Sequence, residues 1–580
     1  MKPPFFLSRK EMMRPKILTF IVWQFCFMVT GIVAAQSIMM EWSEQIGGSL
    51  QDGGTDLSMD ASGNVIIAGI IQGTVDFDPG LDSLNYTAAG SSDGFIQKLD
   101  SAGNLLWVGT LGGVGLDVVW SVTTDAAGNI FATGTFEGTI DVNMESGSTQ
   151  LTSLGFADIF VLKTDPSGNL LWIRSMGDIG VSDGRSIYSD GEGGVFITGS
   201  FSGTVDFEPG IGSTTKTSLG SIDVFLLRLS TSGNLNWVQT YGGTSGDRGE
   251  ALVVDASGNV YVTGVFIDTV DFDPGSGVSN LVSKGGRDVF IQKFDPTGIL
   301  VWARSVGGTN VDESEAINVD DQNNVYVTGQ FLDTVDFDPG PNELLLSSQG
   351  SRDFFVLKLD ESGNLSWANS VGGPGIDESA AIFINAWDEV YVTGAFSETV
   401  DFDPGVGVSS RTSAGGFDAF FQKLSADGDL IWLEVLSGAD GVGVGSMTLD
   451  SEGFLYSTGN YSGTVDFDPS SATNNLTSAG SSDIFVLKLK PSEVGVNEID
   501  NLNAGYRIYP NPATDEIWVE SLNESIRSIS VLDITGKEVY VQAGLNQDKA
   551  NLSLQGLSPG IYFVRITGEK EVHVAKVVKR

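Results

Sequence analysis

The sequence predicts an all-β protein: a seven-bladed β-propeller of 65-residue repeats followed by a small β-sandwich domain. Three observations predict this class. A period of 65 residues runs without insertion, each period holds four short runs rich in β-branched and aromatic residues, and the pattern changes after residue 490.

The period is carried by several positions at once. A glycine ending a TG or AG step stands at Gly69, Gly134, Gly199, Gly264, Gly329, Gly394 and Gly459. The same interval carries Trp42, Trp107, Trp172, Trp237, Trp302, Trp367 and Trp432, and likewise Phe95, Phe160, Phe225, Phe290, Phe355, Phe420 and Phe485. Within one unit, strands are expected at 117–124, 130–136, 159–164 and 170–176. The turns Asp125-Ala126-Ala127-Gly128-Asn129 and Asp165-Pro166-Ser167-Gly168-Asn169 make tight hairpins of the first and last pairs. Four-stranded antiparallel units in tandem match propeller blades, whose radial repetition leaves only short protected edges. The repeat enters at its Trp strand and ends after Lys488. The segment around Trp42 is therefore expected to supply the outermost strand of the blade formed by residues 446–490, closing the ring.

Through motifs such as GNVYVTG at 258–264 and DVFIQKFDPTG at 288–298, the units resemble the SBBP family of β-propeller repeats over residues 38–490. That resemblance implies the propeller fold and no single activity.

The domain reading is residues 1–35 as a signal peptide, 36–490 as the propeller, 491–505 as a polar linker and 506–580 as a further domain. In the last, Tyr509-Pro510-Asn511-Pro512-Ala513 precedes alternating strands at 516–520, 528–533 and 561–566. Turns are expected at Thr535-Gly536-Lys537 and Ser558-Pro559-Gly560, giving a small β-sandwich. The phrases YPNPATDEIWVE, ISVLDITGKEVY and LSPGIYFVRI, with a basic end at Lys576, Lys579 and Arg580, are similar to the type IX secretion sorting domains of Bacteroidetes. The resemblance implies that residues 506–580 engage the type IX secretion machinery and that the body reaches the cell surface or the medium.

The leader reading rests on Arg9, Lys10, Arg14 and Lys16, an apolar run from Ile17 to Val33, and small residues at Ala34 and Ala35. No later segment is apolar enough to span a membrane as a helix, so none is expected after leader cleavage. Formal net charge is -43, which argues against nucleic acid as a partner, since a phosphate backbone is met by clustered Lys and Arg. Residues 500–580 are nearly balanced, so the negative charge sits on the repeats. Cys26 lies in the leader and His573 in the C-terminal domain, which leaves the repeats without thiol or imidazole chemistry.

What remains is acid. The phrase TVDFDPG and its variants place paired carboxylates at Asp76 and Asp78, Asp206 and Glu208, Asp271 and Asp273, Asp336 and Asp338, Asp401 and Asp403, and Asp466 and Asp468. In extended chain, residues i and i+2 share a side, so these twelve are the candidate Ca²⁺ ligands. Their connection shares a face with loop aspartates such as Asp52, Asp117, Asp247, Asp312 and Asp377. It also shares it with the third-strand aspartates Asp93, Asp158, Asp223, Asp288, Asp353, Asp418 and Asp483. One strongly acidic face is therefore expected. The competing reading is that the TVDFDPG carboxylates cap turns and pair with the repeated Lys98, Lys163, Arg228, Lys293, Lys358, Lys423 and Lys488. Pro79 supports it, standing where a calcium loop would carry a third carboxylate.

Residues that break the repeat, namely Trp120, Arg185, Tyr241, Arg248 and Trp387, are candidate contacts near the acidic loops or inner strands. Function is read as binding of a protein or glycan, not catalysis. The alternative is a carboxylate-based glycan hydrolase or lyase, discriminated by whether carboxylates of differing environment converge at one centre.

Overall fold

The computed structural model describes residues 38–491, apart from 81, 192, 209, 211 and 471, and most of residues 506–579. The signal-peptide reading and the linker after Pro491 lie outside the described residues. All regular structure described is β, with every strand pairing between named strands antiparallel.

Pairing groups the repeats into quartets. In the second, Val118–Thr124 pairs with Ile130–Phe136, which pairs with Asp158–Thr164, which pairs with Leu170–Met176. These strands match the expected ones within a residue. Val, Ile, Phe and Thr fill them, and the second and third strands are buried on both faces, as expected of sheets with neighbours on either side. At the first turn Asp125 Oδ1 accepts the amides of Ala127 and Asn129, and Gly128 takes φ +80°. The equivalent position in the fifth quartet is Asn323 at φ 64°, a residue that tolerates the left-handed region.

The repeated glycine answers a packing need. A Cβ on Gly134 would lie 2.0 Å from the Val118 carbonyl oxygen and 2.8 Å from the Phe160 ring. The repeated Trp stitches one quartet to the next: Trp107 Nε1 donates to the Pro166 carbonyl at 3.2 Å, and Trp42 Nε1 donates to that of Ser101 at the same distance.

The TVDFDPG connection carries a strand pair of its own. Its first residues form a short hairpin, as in Thr74–Asp76 paired with Asn85–Thr87. A three-residue strand offers too few alternations for its pairing to register in the sequence as a period of two.

In the seventh quartet, Gly441–Leu449, Leu455–Ser462 and Asp483–Pro491 are completed by Ile38–Gly48, which pairs from Ile38↔Pro491 to Ile46↔Ile484. The first strands of successive quartets lie against one another, and that of the seventh, Gly441–Leu449, lies against Gly53–Met59 of the first. Asp56 ties three of them together. It accepts from Ser121 Oγ and the Val122 amide at 2.9 Å and from Ser446 Oγ at 2.8 Å.

After the linker, Tyr506–Tyr509, Glu516–Ser521 and Lys549–Ser553 make one sheet, and Ile526–Leu532, Glu538–Gln547, Gly560–Thr567 and Val572–Lys579 another. Ile517, Val519, Ile529, Val531, Val564 and Ile566 belong to one apolar cluster drawn from both sheets.

Candidate functional site

The paired carboxylates organise their own turns. Asp76 Oδ1 accepts the amides of Asp78 at 3.2 Å and Leu84 at 2.8 Å, while Asp78 Oδ1 accepts that of Gly80 at 2.8 Å. Asp271, Asp336, Asp401 and Asp466 repeat the first pattern with Asp273, Asp338, Asp403 and Asp468 as donors. In the variant phrase, Asp206 accepts from the amides of Glu208 and Thr214. Burial opposes ionisation of Asp206, but these amides outweigh it and hold the carboxyl below its usual range. Among the described residues, no three or more His, Cys, Asp or Glu side chains gather closely enough to hold a metal ion.

The expected pairing of these carboxylates with the repeated lysines is overturned. Lys98 bonds Asp60 at 2.8 Å, Lys163 bonds Asp125 at 3.5 Å and Arg228 bonds Asp190 at 2.9 Å, all carboxylates of the first hairpin turn. The reason is strand direction. Five residues of extended chain separate Asp93 from Lys98, about 17 Å, which carries the amine to the opposite end of the sheet. Lys284, outside the repeated row, does reach Asp336, at 3.4 Å.

The strongly acidic face is also corrected. Asp52, Asp117, Asp247, Asp312 and Asp377 are at most 1% exposed, and the seven third-strand aspartates at most 2%. They lock the loops from beneath: Asp117 accepts the amides of Gly113 and Glu137, and Asp158 that of Leu154. Burial pushes Asp52, Asp117, Asp247, Asp312 and Asp377 up to about 6, and Asp288 and Asp353 up to about 7.

Of the residues that break the repeat, Tyr241 belongs to the core, 4% exposed with its ring against Phe272 and Phe290. Trp387 is 74% exposed, on the hairpin turn between Ile384 and Val390, at the end of the sheet away from the acidic loops. Trp120, Arg185 and Arg248 stand on first strands. The Arg185 guanidinium lies 4.4 Å from the Trp120 ring centroid and pairs with Asp183 at 3.6 Å.

These three belong to a larger cluster that the motif search missed. Glu313 is held by Arg287 at 3.0 Å and by Arg352 at 3.4 Å, and Arg352 also reaches Glu378 at 3.7 Å. Gln330 Nε2 donates to Glu315 Oε1 at 2.8 Å. Glu315 is exposed to solvent on the first strand Glu313–Val319, with protein packed around it. Burial first, then the neighbouring charges of Glu250, Glu313 and Glu378, push its carboxyl up to about 7. Burial also raises Glu250, against the pull of Arg185 and Arg248. A signal was present in sequence. The column holding Glu315 reads Thr55, Trp120, Arg185, Glu250, Glu315, Ala380 and Gly445, varying where neighbouring columns repeat.

Comparison with known proteins supports both parts of the chain to different depths. A WD repeat-containing protein of Acanthamoeba polyphaga mimivirus is 25% identical over 470 residues, covering 67% of this chain and 34% of the relative. The regulatory protein FlaEY of Caulobacter vibrioides is 27% identical over 177 residues, 30% of this chain and 18% of the relative. Karilysin of Tannerella forsythia is 28% identical over 86 residues, 13% of this chain and 18% of the relative. The chain thus spans about a third or less of the length of these curated relatives. A solved protein of unknown function from Bacteroides thetaiotaomicron aligns over 78% of this chain and 98% of its own, at 11% identity and a TM-score of 0.23. Among the described residues no helix is long and apolar enough to cross a membrane. Residues 507–580 match the family model of the secretion system C-terminal sorting domain, and this type IX sorting domain marks the protein for export to the cell surface or the extracellular space.

Proposed function

We propose that residues 36–490 form a closed seven-bladed β-propeller of SBBP-type repeats. We propose further that it is an extracellular binding protein whose protein or glycan ligand sits where the first strands converge. Ring closure is supported by the pairing of Ile38–Gly48 with Asp483–Pro491, by the contact of the last first strand with the first, and by the WD-repeat relative. The observation that carries the function is the gathering of repeat-breaking Trp120, Arg185, Arg248, Glu250, Glu315 and Glu378 on the first strands. Seven equal units have no structural need for such variety, whereas aromatic and Arg side chains concentrate binding energy. The acidic phrases are read as turn caps, with Ca²⁺ as the competing occupant of their outward oxygens.

Glycan and protein arrays on the exported protein and on its W120A and R185A variants test this reading. A ligand lost from both variants supports it, and a ligand retained by both defeats it.

A second reading has one observation in its favour. Glu313 is clasped by two guanidiniums while neighbouring Glu315 is raised to about 7, two carboxylates of unlike environment as carboxylate-based glycan cleavage requires. Release of reducing sugar from a bound glycan, abolished by E315Q, would establish the enzyme instead.

A further inference from the structure

Departures from the repeat also gather at the hairpin-turn end of the third and fourth quartets. There a cleft of about 570 Å³ opens among Tyr188, Asp190, Phe196, Arg228, Ser257 and Pro296.

Its origin is an interrupted clamp. At three other junctions a Trp and a Lys of one quartet grip the same turn carbonyl of the next. Trp107 Nε1 and Lys98 Nζ donate to the Pro166 oxygen at 3.2 and 3.0 Å, and Trp367 and Lys358 to that of Ala426 at 3.0 and 3.3 Å. Trp42 and Lys488 do the same to Ser101, both at 3.2 Å. The equivalent carbonyl between the third and fourth quartets belongs to Pro296. Arg228 occupies the lysine position there. It folds back to Asp190 at 2.9 Å and lays its guanidinium 5.2 Å from the Phe196 ring centroid. Arg228 Nε and Trp237 Nε1 are both buried without a hydrogen-bond partner. A buried donor left unmade costs about 1–3 kcal/mol, so this junction is held less tightly than the clamped ones.

The walls identify the ligand. Tyr188, 36% exposed, stands where neighbouring quartets carry Thr123 and Val253, and with Pro296 it offers flat apolar surface. The Arg228–Asp190 pair sets a guanidinium beside a carboxylate that also accepts the Gly194 amide, donors and acceptor side by side as vicinal hydroxyls require. Asp255 also lines the cleft, with its oxygens taken by Ser257, Asn259 and Tyr261. Two carboxylates in the wall and a net charge of -43 disfavour an anion. We propose that this cleft, separate from the first-strand cluster, binds a neutral saccharide ring, stacked on Tyr188 with hydroxyls on the Arg228–Asp190 pair.

Isothermal titration of the exported protein with neutral gluco-, galacto-, manno- and N-acetylhexosamine disaccharides, and with a uronic acid disaccharide, tests the proposal. At least one neutral disaccharide is expected to bind with a Kd of about 1 mM or lower. R228K restores the lysine that the other six repeats carry, so the fold is preserved. Its amine should reach the Pro296 carbonyl, close the clamp and weaken binding at least about tenfold with Tm unchanged or raised. Y188T, borrowing the residue of the preceding quartet, should weaken binding likewise. The proposal is overturned if no neutral disaccharide binds, if the uronic acid binds as tightly, or if both variants bind like the parent.

Discussion

Arg185 lies over the indole of Trp120, 4.4 Å from the ring centroid, across the boundary between two quartets. Each side chain belongs to a different repeat, and neither has a counterpart at its own position elsewhere, so the contact exists once in the molecule.

Removing either partner should separate a binding role from a structural one. A partly buried cation–π pair is worth about 0.5–2 kcal/mol, so W120A and R185A should each lower Tm by no more than about 4 °C. Loss of ligand from both variants, with so small a change in the melting curve, is the expected outcome.

The buried loop aspartates give the fold an acid-favouring stability. Their folded-state affinities, about 6 to 7, lie above the ordinary value of 3.8, so the folded state holds protons that the unfolded chain releases. The stabilisation is complete below 3.8 and is lost as pH rises through 6 to 7. Relief of the net charge of -43 acts in the same direction. Tm should therefore be higher at pH 5 than at pH 8, by on the order of 5 °C, when followed by calorimetry at constant ionic strength.

Two glycines of one quartet should respond differently to a methyl group. At Gly134 the added Cβ meets the Val118 carbonyl at 2.0 Å, so G134A should cost at least about 3 kcal/mol by backbone displacement. At Gly138 nothing lies within 4 Å, and only its φ of +68° opposes a side chain. G138A should cost about 1 kcal/mol, and urea denaturation of the two variants reads the difference.

Turn capping by the acidic phrases predicts how cations act. With Asp76 Oδ1 engaged by two amides, D76N should lower Tm by a similar few degrees in chelator and in calcium. Calcium and magnesium should shift the parent equally at fixed ionic strength. A calcium-specific rise that D76N abolishes would restore the metal assignment.

The fold was legible because its demands recur. Gly134, Trp107 and Phe160 each answer a requirement that every unit shares, and an uninterrupted period makes such residues visible together. Burial was not legible at Asp93 or Asp117. An aspartate opening a strand after a glycine-rich loop reads as solvent-facing, and the pattern does not reveal that the Gly-Gly step makes room for it. A Cβ on Gly112 would fall 1.9 Å from the Asp93 carboxyl. The lysine partners were misassigned because shared repeat frequency was read as proximity, whereas strand direction separates Lys98 from Asp76. The first-strand cluster escaped because Glu313, Glu315 and Glu378 are conspicuous only as departures from a column, and a search for recurrence passes over them.

The pairing of Ile38–Gly48 with Asp483–Pro491 has a mechanical consequence. Ile38 faces Pro491, so the two exits of the chain from this sheet lie at the same end of one antiparallel pair. Force applied between them would open the ladder one hydrogen bond at a time, as a zipper, instead of shearing all its bonds together. A tether at one end alone leaves the seam unloaded. Immobilised by a single end the body should therefore withstand drag that would unravel it if it were stretched between both.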